Sequence, residues 1–163
     1  MSLKPVILLY DLNNALVDEC AALIGQTGLY TTINTYNEAN AIEATYQYNR
    51  GFGLLTNKLS CVITGWNRHK RPRDQFLFRL RADEKRSPFR KPTPVIMITE
   101  DHRHDLKLRA LDPTDGNVAA YLRDDEFQGT LIETLNKIVF NHKSHELNSV
   151  AYAQLRAEEE EAE

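Results

Sequence analysis

Short apolar runs with no polar alternation recur along this 163-residue chain, each followed by a stretch with helical spacing. Val6-Ile7-Leu8-Leu9 is the first of them. A strand that is apolar at every position must be covered on both faces, which is the situation of a parallel strand inside an α/β sheet. Residues 13–26 then carry Leu16, Cys20, Leu23 and Ile24 at i, i+4, i+7 and i+8, one stripe of a helix. Asn13 or Asn14 can cap its start and Gly28 can close its end. Residues 29–36 are β-branched and aromatic and predict a second strand. Residues 37–48 predict a second helix, with Asn37 as cap and Ile42, Thr45 and Tyr46 on its inner side.

The alternation continues past the break at Gly51-Phe52-Gly53. Leu59 to Thr64 is a third buried strand, and Asp74 to Ala82 a helix with Phe76, Leu77 and Leu80 inward. Pro88 and Pro92 bracket a linker, and Pro94 to Thr99 is a fourth strand with Pro94 at its first position, where a missing N–H is tolerated. A short helix over His104 to Leu111, a turn over Asp112 to Gly116, and a fifth strand over Val118 to Leu122 follow. The next helix starts near Gln128, with Leu131, Leu135, Ile138 and Val139 inward. Five strands alternating with five helices predict a doubly wound, five-stranded parallel α/β sheet. That domain spans residues 4–140, and residues 141–163 form a C-terminal helical extension ending in the acidic run Glu158 to Glu161. Phe140 to Leu155 contains no Pro or Gly, so the helical pattern continues, with a bend expected at residues 144–149 and a second helix from about Asn148. Val150, Tyr152 and Leu155 give this helix too little to bury alone, so it must dock on its own domain or on another copy.

Composition removes several function classes. Hydrophobic residues at 42% and charged residues at 26% are ordinary for a folded domain. Twenty Lys and Arg against 23 Asp and Glu argue against a general nucleic-acid binder. The distribution is uneven, since residues 68–91 hold ten of those 20 cations against three acids, Asp74, Asp83 and Glu84. The plainest reading of that segment is a solvated helix face with a polar loop; nucleic acid, an acidic partner or the chain's own Glu158 to Glu161 tail are the functional alternatives. Cys20 and Cys61 lack CxxC spacing and fall in apolar stretches, as buried thiols do. No apolar run approaches the ~20 residues of a membrane span, so a cytoplasmic chain that leaves membranes alone is expected. His102-x-His104 and His142-x-x-His145, with Asp101, Asp105 or Glu146 nearby, have no spacing that joins them into one metal site.

In an open parallel sheet, ligands sit at the carboxyl ends of the strands. The residues to watch are therefore Tyr10-Asp11, Thr64-Gly65, Thr99-Glu100 and Arg123-Asp124. A phosphate loop needs glycines just after the first strand, and Asp11-Leu12-Asn13-Asn14 has none. Trp66 follows the third strand directly and could cover a pocket there, meet a partner, or simply pack on Pro72.

Three strings carry a family resemblance. Pro94-Val95-Ile96-Met97-Ile98-Thr99, the helix Arg73 to Asp83, and Ala120-Tyr121-Leu122 resemble the fourth strand, third helix and fifth strand of the response-regulator receiver (CheY-like) domain of two-component signalling. The likeness covers roughly Lys4 to Val139. It implies a hydroxyl switch position at Thr99 and an aromatic switch position at Tyr121. Where the family has its phosphoryl-accepting Asp, the best match is Thr64, with Gly65 as the alternative. The acidic pair that holds Mg²⁺ matches Tyr10-Asp11, of which only Asp11 is acidic, and the position of the family's lysine is Asp124.

The chemistry of these departures is direct. Mg²⁺ prefers octahedral oxygen ligands that include carboxylates, so Asp11 with a threonine hydroxyl is a poor site, and weak or absent Mg²⁺ binding with no other cofactor is expected. A threonine hydroxyl without an activating base is a weak nucleophile. The expectation is a degenerate, non-enzymatic pseudo-receiver of the phosphorelay type that acts through a protein partner or a sensor kinase. A homodimer through the fourth and fifth helices is what the resemblance implies. The alternatives are a small-molecule or nucleotide site in the carboxyl-edge cleft, and an accessory domain similar to the receiver-like wing domains of some amino-acid decarboxylases.

Overall fold

A computed structural model describes residues 3–49, 58–86 and 91–162. The sequence-level break at Gly51 to Gly53, and Pro88 and Phe89 of the linker, lie outside the described residues. Five strands, β1 (Val6–Tyr10), β2 (Thr31–Thr35), β3 (Leu59–Thr64), β4 (Val95–Thr99) and β5 (Ala120–Arg123), form one sheet in the order β2-β1-β3-β4-β5. Every pairing is parallel. β1 and β4 are buried at each position, as their unbroken apolar sequence requires, whereas the edge strand β2 buries only Thr35.

Alternating side chains divide the core into two layers. On one face, Ile7, Leu9, Cys61, Ile63, Ile96 and Ile98 meet α1 (Asn14–Thr27) and α5 (Leu131–Val139). On the other, Val6, Leu8, Val62, Val95 and Met97 meet α2 (Glu38–Asn49), α3 (Phe76–Lys85) and α4 (His104–Leu111). The last helix, α6 (Ser144–Ala162), joins this second layer through Leu155. The Asn13 side chain accepts from the Leu16 N–H at the start of α1, and Gly28, at φ 68°, ends the helix in the left-handed conformation that glycine adopts without a Cβ penalty. Asn37 caps α2 through the Asn40 N–H.

Several boundaries differ from expectation. α3 starts at Phe76, because Pro72–Asp74 forms a separate 3₁₀ turn, and α5 starts at Leu131 after a second one at Phe127–Gly129. The inner side of α2 is Ala41, Ala44 and Thr45, with Ile42 packed against the core as expected, whereas Tyr46 is 42% exposed. The expected bend at 144–149 is absent. The chain instead turns before α6, with His142 at φ 54° and the Lys143 N–H reaching the Lys137 carbonyl.

Among the described residues, the basic segment includes a buried cation. Arg81 is buried, bonds the carbonyls of Thr93, Gly116 and Asn117, and lies 2.7 Å from Glu84. Glu84 in turn accepts from the Thr93 N–H. This network ties α3 to the chain segments entering β4 and β5 at the amino edge of the sheet. Its charges compensate one another, which is what allows both to be buried.

Candidate functional site at the carboxyl edge

The strands end at Tyr10, Thr64, Thr99 and Arg123, so the residues anticipated from sequence do meet at one edge. A cleft of about 880 Å³ opens there, lined among others by Asp11, Trp66, Thr99, Asp101, Arg103 and Asp124. Its volume is that of a small-molecule site. Ion pairs cross or flank it: Arg68 with Glu100, Lys70 with Glu38, and Arg103 with Asp101. The Arg103 side chain and N–H hold the Asp101 carboxyl below the usual carboxylate range.

Thr64 does not line this cleft. It is 3% exposed, and its hydroxyl has no hydrogen-bond partner among the described residues. Strand alternation puts it with Val62 on the α2–α3 face, and it borders two water-sized cavities of about 10 Å³ each, one beside Glu38 and Phe76 and the other beside Val17 and Cys20 of α1. The residue turned toward the acidic end of β1 is Gly65. A Cβ there would stand 2.5 Å from Asp11 Oδ2 and 2.7 Å from the Ile98 carbonyl oxygen. The Asp11 carboxylate therefore occupies the space into which a side chain at position 65 would project.

Asp11 Oδ1 accepts from the Asn13 N–H at 2.8 Å. Burial raises its pKa, the N–H groups of Asn13 and Leu12 oppose the rise, and the nearby Asp124 carboxylate adds to it. Two carboxylates thus share this end of the cleft. Thr99 is engaged locally, its hydroxyl accepting from the Asp101 N–H and its carbonyl from the Asp124 N–H. The His102 ring lies 2.9 Å from the same carbonyl and edge-on to Tyr121. Among the described residues, no group of three or more His, Cys, Asp or Glu side chains could hold a metal ion.

Tyr121 is fixed from two sides. Its hydroxyl donates to the Asp101 carbonyl at 2.5 Å and accepts from Trp66 Nε1–H at 2.7 Å. Burial pushes its pKa up to about 12. Trp66 stacks on Phe78, with ring centroids 5.9 Å apart. This tie joins the β3–α3 loop to β5 across 55 residues, and neither partner's sequence position signals the other. Cys20 and Cys61 are core thiols whose pKa values burial pushes up to about 12.

No protein-family model matches the chain, and no curated protein matches it. Solved structures do. A response regulator receiver domain protein from Clostridium thermocellum is 21% identical at a TM-score of 0.60, over 85% of this chain and 97% of that one. The signal receiver domain of an HD domain-containing protein from Pseudomonas fluorescens Pf-5 is 18% identical at a TM-score of 0.62, over 98% of this chain and 95% of that one. A response regulator protein from Burkholderia pseudomallei, with a phosphorylated aspartic acid, a calcium ion and citrate, is 12% identical at a TM-score of 0.60, over 88% of this chain and 73% of that one. The likeness is one of fold: this chain has the CheY-like receiver architecture, with a sixth helix. Among the described residues, no helix is long and apolar enough to cross a membrane.

Proposed function

We propose that this receiver-fold chain is a non-enzymatic signalling module that accepts no phosphoryl group and acts by binding protein partners in a cytoplasmic two-component setting. The observation that carries this reading is Gly65. It takes the place of an acceptor carboxylate at the end of β3, and Asp11 fills the space an acceptor side chain would need. Asp124 adds a second reason, since an anion there opposes a phosphoryl group where a lysine would attract it. The donor set also fits Mg²⁺ poorly. Asp11 is the single carboxylate at the end of β1, and one of its oxygens is already bonded to a backbone N–H.

Without phosphorylation, the Trp66–Tyr121–Asp101 tie holds the aromatic position in one arrangement, and binding partners meet a preset surface. A sensor kinase or another component of such a pathway is the partner class that the structural neighbours suggest. A small molecule or nucleotide in the cleft is the second reading, favoured by the cleft's volume and by its charges of both signs.

Incubation with acetyl phosphate, or with beryllofluoride, in the presence of Mg²⁺ tests the leading reading. The expected result is no mass adduct and no change in Trp66 fluorescence; Trp66 is the single tryptophan. The Gly65→Asp variant is expected to stay unmodified too, because its Cβ meets Asp11 and the β4 backbone. A stoichiometric, Mg²⁺-dependent adduct on the native chain would overturn the proposal.

A further inference from the structure

α6 leaves one of its faces uncovered. Its inner face is spent on its own domain. Asn148 donates to the carbonyls of Leu111 and Val118 near the end of α4 and the start of β5, and Leu155 is in the core. Glu159 reaches His104 at the opposite end of α4, so α6 runs alongside β5 in the same direction. Between α6 and α5 a groove of about 560 Å³ remains, with Leu122 of β5 on its floor and Lys137, Lys143, Leu147, Val150 and Gln154 on its walls. β5 is an edge strand, paired only with β4. Val150 is 54% exposed at mid-groove.

The groove-side stripe of α6 has a polarity. It begins with Lys143, passes through Leu147, Val150 and Ala151, reaches Gln154, and by helical spacing continues to Glu158 and Glu161, both exposed. Lys137 of α5 stands at the same end, 3.2 Å from Glu133, and Lys143 lies 3.0 Å from Glu146. These are exposed pairs, which exchange partners at little cost. A stripe that is basic at one end, apolar in the middle and acidic at the other complements itself when a second copy is turned end for end. That is the requirement of an isologous two-fold interface.

We propose that this face docks a second copy of the chain, with the two α6 helices antiparallel about a two-fold axis near Val150 and Ala151. Lys143 of each copy then meets Glu158 of the other, and the apolar centres close on each other. α6 covers the outer side of α4, so the seam lies between α5 and α6 rather than between α4 and α5. The 19 residues of α6 span about 28 Å. A dimer closed by one short apolar centre and two exposed ion pairs is a weak one. This inference does not depend on whether the carboxyl edge takes a phosphoryl group.

Sedimentation velocity on the full chain, from about ten to several hundred micromolar, tests it. The native chain should shift from monomer to dimer mass across that range. Val150→Asp, at an exposed site that leaves the circular dichroism unchanged, should stay monomeric. Lys143→Glu and Glu158→Lys should each weaken association several-fold, and the double variant should recover it. The two positions lie about 22 Å apart on one helix, so recovery cannot come from within one chain. A native chain that stays monomeric throughout, or a double variant no better than the singles, overturns the proposal.

Discussion

Asp11 shows how one missing side chain changes the chemistry of its neighbour. With Gly65 beside it, the carboxylate occupies the space a side chain there would take, and burial and Asp124 both raise its pKa. A carboxyl whose folded pKa lies above its ordinary value binds its proton more tightly in the folded chain. Stability therefore falls as pH rises from 3.8 through the raised value, and stays lower above it. Asp11→Asn keeps an oxygen to accept from the Asn13 N–H and removes the charge. Its melting temperature should exceed that of the native chain at pH 7, and the gain should vanish as the pH approaches 3.8. A variant equally or less stable than the native chain at neutral pH would show that the charge costs nothing there. At this scale the sequence was only partly legible. The strand-end positions could be read directly. Whether Thr64 or Gly65 turns toward Asp11 could not, because a shift of one residue along a strand exchanges its two faces.

Elements whose sequence is a continuous apolar run were legible almost to the residue: β1 begins at Val6 and β4 ends at Thr99, as their patterns predict. Elements set by tertiary partners were not. Asp74 to Ala82 reads as one helix, yet Pro72–Asp74 forms its own turn, and the Gln75 side chain bonds the backbone of Asn67 and Lys70 before α3 begins. Arg81, within a run of cations, looks solvated until the three carbonyls that receive it are in view. Asn148 gives no sequence signal at all, being an ordinary polar residue in a polar helix. In the structure it is 1% exposed and fastens α6 by two hydrogen bonds. Asn148→Ala leaves the carbonyls of Leu111 and Val118 buried without these donors, a loss of about 2–3 kcal/mol. Urea denaturation should show the midpoint falling with an unchanged slope. An unaltered midpoint would mean that α6 is held by its apolar contacts alone.

At the scale of the whole molecule, the expected boundary at residue 140 meets a core that does not stop there. Leu155 packs in the same layer as Val95, Met97, Leu111 and Val118, and Tyr152 and Ala151 lie against that layer. Removing residues 144–163 would strip a Leu from the core, about 2–5 kcal/mol by analogy with large-to-small substitutions. It would also remove the two Asn148 hydrogen bonds, about another 2 kcal/mol. Together these approach the ~5–15 kcal/mol that hold an ordinary domain. The truncated chain should therefore unfold at far lower urea or fail to stay dispersed, since the α4–β5 surface it exposes is apolar. For the full chain, Trp66 fluorescence and far-ultraviolet circular dichroism should trace one coincident transition. The tryptophan reports on the carboxyl edge, while the dichroism is weighted toward the helices, including the 19 residues of α6. Two separated transitions, or a truncated chain with the native midpoint, would make α6 an appendage on a receiver domain that is complete without it.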